Sequence, residues 1–331
     1  MRPRQRPGKN GGGPNRNGHP PKEVPSIVIS EIQRKEMLAD FLELPKIRIK
    51  DSLPPVNDKA LNNVIGEYLE TSNFRENPKL NNPNHFKYFT NCVERVYGRK
   101  NILFSIDVEA WELNTNSVTE LGISIYDPRS QVLAMMPTIT QIHIKIRENL
   151  DLRNGRYVPD HADNFVGGVT YVMSREEAVK FTQTLVDYYF FYLPQKLSPG
   201  KHICSLVGHG VGGDIKWFTK LGIKFPQNMN IVDTQNLFTF TQGDKGNSLK
   251  NGLIKVEVPN AFLHNAGNDA YYTLILAMKL CDPICRDHYR LDKYMPLEIP
   301  FEARKKSRRG PANRAEMVEL DDFMGACEEL F

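Results

Sequence analysis

The stretch that most constrains this chain is residues 101–109, Asn-Ile-Leu-Phe-Ser-Ile-Asp-Val-Glu. It begins as a nearly continuous apolar run, which suits a strand buried on both faces of a sheet. It ends in two carboxylates, Asp107 and Glu109. Residues i and i+2 of a strand point to the same face, so both acids project from one side of the end of a buried strand. Two like charges held there repel unless something positive lies between them, and a divalent metal is the usual answer. The plainer alternative is an ordinary strand end with two solvated acids.

Two later stretches bear on that choice. Residues 208–218 read Gly-His-Gly-Val-Gly-Gly-Asp-Ile-Lys-Trp-Phe, and residues 264–270 read His-Asn-Ala-Gly-Asn-Asp-Ala. Together with 101–109 they resemble the three exonuclease motifs of the DEDDh family, the DnaQ-like branch of the ribonuclease H-like nucleases. Asp107 and Glu109 match the first motif, Asp214 the second, and His264 and Asp269 the third, in the family's order and with its His-x4-Asp spacing. The resemblance covers roughly residues 99–290. It implies an α/β ribonuclease H-like fold, with a mixed, five-stranded type of sheet flanked by helices. Within the family the wording Ser-Ile-Asp-Val-Glu-Ala-Trp-Glu is most like the fungal Gfd-type proteins, linked to mRNA export and helicase function. One departure is Gly213, where many relatives carry Asn beside the motif acid.

A chain of 331 residues with 40% apolar composition can build a sizeable core. Its net charge of +4 is small, but both ends are basic. Residues 1–22 hold Arg2, Arg4, Arg6, Lys9, Arg16 and Lys22 with no acid, and residues 304–309 read Arg-Lys-Lys-Ser-Arg-Arg. Five cysteines, Cys92, Cys204, Cys281, Cys285 and Cys327, make neither a disulfide framework nor a zinc pattern, so a reducing compartment is expected. No apolar run reaches the roughly 18 residues of a membrane span, and the start lacks a signal-peptide apolar region. The expected location is nuclear or cytoplasmic; the mitochondrion is left open, since the start is Arg-rich and acid-free like a transit peptide, although its Pro and Gly forbid the amphipathic helix such a peptide needs.

Four segments are expected. Residues 1–25, rich in Pro, Gly, Arg and Asn, read as a disordered basic arm, for solubility or for sequence-independent attraction to phosphates. Residues 26–98 read as a helical appendage, with helical spacing over 27–44, 56–69 and 83–97 punctuated by Pro45, Pro54, Pro55 and Pro78. Residues 99–290 form the exonuclease domain. Residues 291–331 form a basic, then acidic, C-terminal tail, whose amphipathic end (Met317, Leu320, Met324, Cys327, Phe331) is a candidate for docking on its own domain or on a protein partner.

Within the domain, 118–126 and 139–146 are expected to be strands and 149–172 a long loop. Ser174 and Glu177 form a capping-box pattern before a helix that turns Val179, Thr182, Leu185, Val186 and Tyr189 inward. Residues 202–207 read as a short buried strand that the glycine-rich turn follows, with Asp214 opening the next helix. Asp233 matches a recurrent structural acid of the family. Residues 242–251 read as a polar loop, and Asn268 as the cap of a helix from 269 to about 280.

The resemblance also implies roles. Asp107, Glu109, Asp214 and Asp269 would hold two Mg²⁺ or Mn²⁺ ions, which hard oxygen ligands favour over zinc. Asp107 would bridge both ions, Glu109 and Asp269 would complete the site of the attacking water, and Asp214 would hold the second ion. His264 would be the general base, since a pKa near 6.5 suits proton removal at neutral pH. Trp111, Leu113 and His209 are the candidate substrate contacts, with Trp111 placed to stack on a terminal base; a Trp simply packed under the next strand is the bland alternative. The expected function is a 3′→5′ exonuclease acting on single-stranded nucleic acid, RNA before DNA, and releasing nucleoside 5′-monophosphates. The competing reading is a catalytically silent nuclease-fold module that binds RNA or an mRNA-export or helicase partner.

Overall fold

The computed structural model describes residues 53–71, 74–132 and 134–296, all of which fall in one compact unit. The arm at 1–25, the helix over 27–44 and the tail from 297 onward lie outside the described residues. In chain order the elements are α1 (Lys59–Thr71), α2 (Pro83–Val96), β1 (Ile102–Ala110), β2 (Val118–Tyr126), β3 (Ile139–Ile146), β4 (Thr170–Met173), α3 (Arg175–Val186), α4 (Leu193–Leu197), β5 (Cys204–Gly208), α5 (Gly212–Leu221), β6 (Asn230–Asp233), α6 (Thr234–Gln242), α7 (Leu249–Lys255), α8 (Ala266–Cys281) and α9 (Pro283–His288).

The apolar run of 102–106 becomes the inner part of β1, fully buried. Its place in the sheet explains why: the order is β4-β3-β2-β1-β5-β6, so β1 is central. β1 and β3 flank β2 antiparallel, while β5, β6 and β4 join in parallel. The mixed sheet with flanking helices is the expected one, with one strand more. That strand, β4, takes up the last three residues of the stretch read as loop and one residue beyond it. Four residues are too few to show a period in sequence, and β4 is fixed by pairing with residues 143–146 of β3.

Ser174 caps α3 with both bonds of a capping box. Of the expected inward face of α3, Thr182 and Val186 are buried, and Ala178 and Phe181 join them in place of Val179 and Leu185. A π-helical turn over Asp187–Tyr192 then shifts the phase, so Phe190 is buried in place of Tyr189.

Helix α8 crosses β1 and β2 at close range. A Cβ on Gly122 of β2 would collide with the Ala266 carbonyl, and one on Gly267 would stand 2.7 Å from His143 Cβ. The two bare positions let the N-terminus of α8 settle on the sheet beside Asp107, which pairs with Gly122. On its other side α8 packs on α2, which Asn82 caps with Pro83 in its first turn. One core cluster joins Ile65, Tyr68, Phe89, Cys92, Val93 and Val96 to Leu274, Leu276, Ala277 and Leu280. Helices α1 and α2 are therefore part of the same hydrophobic core as the sheet.

Candidate active site

The end of β1 holds its ladder through Glu109, opposite Glu120, and the register then shifts before Ala110. Asp107 and Glu109 thus share one face at the strand's end, as period two requires. Asp214 arrives from the first turn of α5 and is buried. Its Oδ1 accepts from the Val108 amide, between the two β1 acids, at 3.2 Å. Two contacts further along α5 lock this approach: Trp217 Nε1 donates to Thr115 O at 2.8 Å, and Lys220 Nζ to Asn116 Oδ1 at 3.2 Å. The glycine-rich turn before α5 takes a left-handed backbone at Gly210, φ +73°. Asp233 holds that turn by accepting from the amides of Gly210 and Val211, and it caps α6 through Gln235 and Asn236.

The third contribution comes from α8. Its cap is Asn265, three residues before the expected Asn268. Asn268 lies inside the first turn, where its side chain bonds Val166 N, Asn164 O and Phe262 O. Asp269 still falls in the first turn. Its Oδ2 accepts from the His264 amide at 2.9 Å, and its buried Oδ1 has no hydrogen-bond partner. His264 sits at φ +69°, an uncommon backbone for a residue with a side chain. This turn leaves its ring 45% exposed, with Nδ1 3.8 Å from Glu109 Oε1, an ion-pair distance longer than a hydrogen bond. Ligand atoms of Glu109, His264 and Asp269 lie within 4.8 Å of one another.

The electrostatics are those of gathered like charges. Burial, and then Asp269, Asp214, Glu109 and Glu120, push Asp107 well above the carboxylate range. Burial is also the first cause for Asp214, raised to about 7 against the Val108 bond, and for Asp269, raised to about 7 with help from Glu109. Glu109 is raised by burial. The facing Glu109 carboxylate raises His264 above 6.5. Folded without a counter-charge, such a cluster keeps protons it would otherwise lose. The partnerless, buried Asp269 Oδ1 is the sharpest sign that a ligand from outside belongs here. An oxygen-rich set drawn from separate elements suits a hard divalent ion.

Of the candidate substrate contacts, Leu113 is 54% exposed just past the strand end, and Trp111 is half-buried, its amide bonded to Ser117 O. His209 has both ring nitrogens engaged within the protein, Nδ1 with Thr234 Oγ1 at 2.9 Å and Nε2 with Asn247 O at 2.8 Å. Burial lowers its pKa, so a neutral ring serves both bonds and holds the glycine-rich turn against α6. Sequence reasoning missed Glu120 and His143. They form a buried pair at 2.8 Å, and Glu120 Oε2 also accepts from the Ala266 amide at 3.2 Å. The pair anchors the start of α8 beside the acids. The only signal in sequence was a polar residue at an inward position of each of two apolar strands.

Comparison with known proteins bears on the family. The family model described as "DNA polymerase III subunit epsilon-like, C-terminal domain" of the DEDDh group matches residues 102–280. "Good for full DBP5 activity protein 2" of Saccharomyces cerevisiae is 40% identical over 220 residues, covering 60% of this chain and 38% of that protein. "Uncharacterized protein YDR514C" of the same yeast is 38% identical over 216 residues, covering 60% and 44%. The chain thus matches less than half the length of either relative. Among solved structures, the Neurospora crassa Pan2 catalytic unit (protease and nuclease domain) aligns at TM-score 0.35 and 17% identity, over 57% of this chain and 29% of that one. The family match runs from the start of β1 to within one residue of the end of α8 and spans every acid of the cluster, and on it the chain belongs to the DEDDh family of exonucleases; over 220 residues it is also similar to the first of these yeast proteins.

Proposed function

We propose that the protein is a metal-dependent 3′→5′ exonuclease that hydrolyses single-stranded nucleic acid, RNA in preference to DNA, to nucleoside 5′-monophosphates. The observation that carries this reading is the convergence of Asp107, Glu109, Asp214 and Asp269 from three elements, with the exposed His264 beside them. The DEDDh family generally uses divalent metals, and these four acids would hold two Mg²⁺ or Mn²⁺ ions. When bound, the ions supply Lewis-acid stabilisation of the charge that builds on the phosphoryl oxygens. Asp107, which feels Asp269, Asp214 and Glu109, would be a ligand to the metal at the centre of the set. Asp214, pinned by the Val108 amide, offers its second oxygen. His264 turns Nδ1 toward Glu109, which leaves Nε2 to take the proton of the attacking water. The exposed ring and the short turn that carries it suit a group that must exchange protons with solvent.

The test is a nuclease assay on 5′-labelled RNA and DNA oligonucleotides with free or blocked 3′ ends, in Mg²⁺, Mn²⁺ or EDTA. Shortening from a free 3′ end that stops in EDTA is the expected result. Binding of the strand without cleavage in either metal overturns the reading. It would favour a silent module acting on RNA or a helicase partner, a reading that the name of the first yeast relative keeps in view.

A further inference from the structure

Glu112 has no part in the scheme above, yet it is tied into the structure by more bonds than most exposed acids. Its Oε1 accepts from the Arg156 amide at 2.7 Å, and its Oε2 from Tyr157 at 2.8 Å and Val158 at 3.2 Å. Its own amide donates to Asn154 Oδ1 at 2.9 Å, and Asn154 Nδ2 donates back to Ala110 O at 3.2 Å. These bonds fasten the loop that follows β3 to the chain just beyond Glu109. Arg153 staples the loop to itself through Asp160 and Asp163 at 2.7 Å each, and at the loop's far side Asn265, the cap of α8, donates to His161 O at 3.1 Å. The loop therefore arcs from the first motif to the third. It walls a pocket of about 360 Å³ that Pro159 and His161 share with His264 and Asp269.

The crest of this arc is Arg156-Tyr157. Tyr157 is 69% exposed, and the Arg156 guanidinium stands 5.2 Å from its ring centroid. Among the described residues the Arg156 guanidinium has no carboxylate partner. Leu113, also exposed, adjoins Glu112 on the same rim. An aromatic face with a free cation, held in place by its own backbone, is the pattern that single strands use: bases stack on the ring and phosphates meet the cation. We propose that Glu112 is a positioning residue that presents Tyr157 and Arg156 as a contact for the single strand leading into the carboxylate cluster. The inference rests on the exonuclease reading for the fate of the strand, while the contact itself is read from binding alone.

The experiment measures two quantities: the Kd of a 5′-labelled, 3′-blocked RNA 12-mer by fluorescence anisotropy in EDTA, and KM and kcat on the unblocked strand with Mn²⁺. Tyr157→Ala should raise Kd and KM about tenfold, the scale of one lost base stack, with a smaller change in kcat. Arg156→Ala should weaken binding less and flatten the salt dependence by about 0.7. Glu112→Ala should match Tyr157→Ala, and the double variant should be no worse than either single one, because one acts through the other. Glu112→Gln keeps one of the two acceptor oxygens and turns an NH₂ toward the remaining backbone donor, so it should recover only part of the loss. A Kd for Tyr157→Ala within twofold of the wild type overturns the inference, as does a Glu112→Ala protein that binds normally. A wild type that binds and fails to cut overturns only the exonuclease reading. One that neither binds nor cuts overturns both.

Discussion

Helix α8 has a buried charge near each end, and the two are built on opposite plans. Just past its C-terminus, Arg286 is fully buried and fully partnered. Nε meets Tyr68 Oη and Asp292 Oδ1 at 2.8 Å, one terminal nitrogen donates to Leu280 O at 2.6 Å, and the other to Asp292 Oδ1 at 2.7 Å and Leu291 O at 3.3 Å. Its guanidinium lies 4.3 Å from the Phe89 ring centroid. At the N-terminal end, Asp269 joins three other acids and keeps a buried oxygen with no partner. Burying a charge is costly unless its partners are complete. The Arg286 site has its partners within the chain, so it serves the fold by tying α1 and residue 292 to α8. The carboxylate site lacks them, so the fold tolerates it and something from outside completes it. Glu120 and His143 mark the boundary between the plans: an acid beside the cluster, yet satisfied by its own partner.

The largest effect expected from breaking this contrast is on turnover. Asp107→Ala should reduce hydrolysis to background while the protein stays folded, because the acid that faces all the others is lost. A variant that keeps more than a few per cent of wild-type turnover, about 1% being a loss of 2.7 kcal/mol in transition-state stabilisation, would sink the assignment of Asp107 as the central metal ligand. His264→Ala comes next, with turnover lower by roughly 10² to 10⁴, the range for a lost general base. Isothermal titration with Mn²⁺ should show near-normal affinity in this variant. Lost affinity would make His264 a ligand instead of a base.

The contrast also shows what could be read from sequence. The bounds of β2 and β3 and the shared face of Asp107 and Glu109 follow from period two and an apolar run, which are local. Asp214, His264 and Asp269 were legible through the order and spacing of motifs, since nothing local says that residues 107, 214 and 269 meet. What stayed hidden depends on tertiary partners. Asn265 and Asn268 have the same capping chemistry, and the choice falls to Asn265 because Asn268 is drawn to Val166 and Asn164. β4 exists only because β3 is there to pair with. Glu120 and His143 find each other across neighbouring strands. The Arg286 site joins positions more than 200 residues apart in sequence, Tyr68 and Asp292 among them.

Removing the cation from the satisfied site should injure stability alone. Arg286→Met takes the guanidinium from Asp292, which keeps only Tyr68 Oη as a donor, and from Tyr68 and the Leu280 carbonyl, and breaking one side of a buried ion pair costs about 3–5 kcal/mol. Urea unfolding should show that loss equally with and without EDTA, and turnover per folded molecule should hold. A loss under 1 kcal/mol would mean that water replaces the guanidinium, and the site would no longer count as the complete partner of the pair.

The smallest effect expected is also the most direct test of the unsatisfied site. In the metal-free protein Asp214 and Asp269 are raised to about 7, and Asp107 and Glu109 are raised as well. A carboxyl group whose pKa is higher in the folded state than in the unfolded one stabilises the fold below its unfolded value, near 4, and that stability is lost as pH climbs through the folded value. His264, raised by Glu109, acts in the same sense: its contribution is present below about 6.5 and lost above its folded value, so it does not offset the acids. The Tm of the wild type in EDTA should therefore fall relative to Asp107→Asn as pH rises from about 4 through 7. Removing one charge relieves its neighbours, so the variant should be equal or more stable at pH 8, by roughly 1–2 kcal/mol or a few degrees. Saturating Mn²⁺ should reverse the order, since the ion binds the wild type better and stabilises what it binds. Thermal melts of the two proteins between pH 4.5 and 8.5, with and without metal, decide the matter. Parallel curves throughout would mean that the four acids do not feel one another, and the contrast with Arg286 would reduce to a difference in burial.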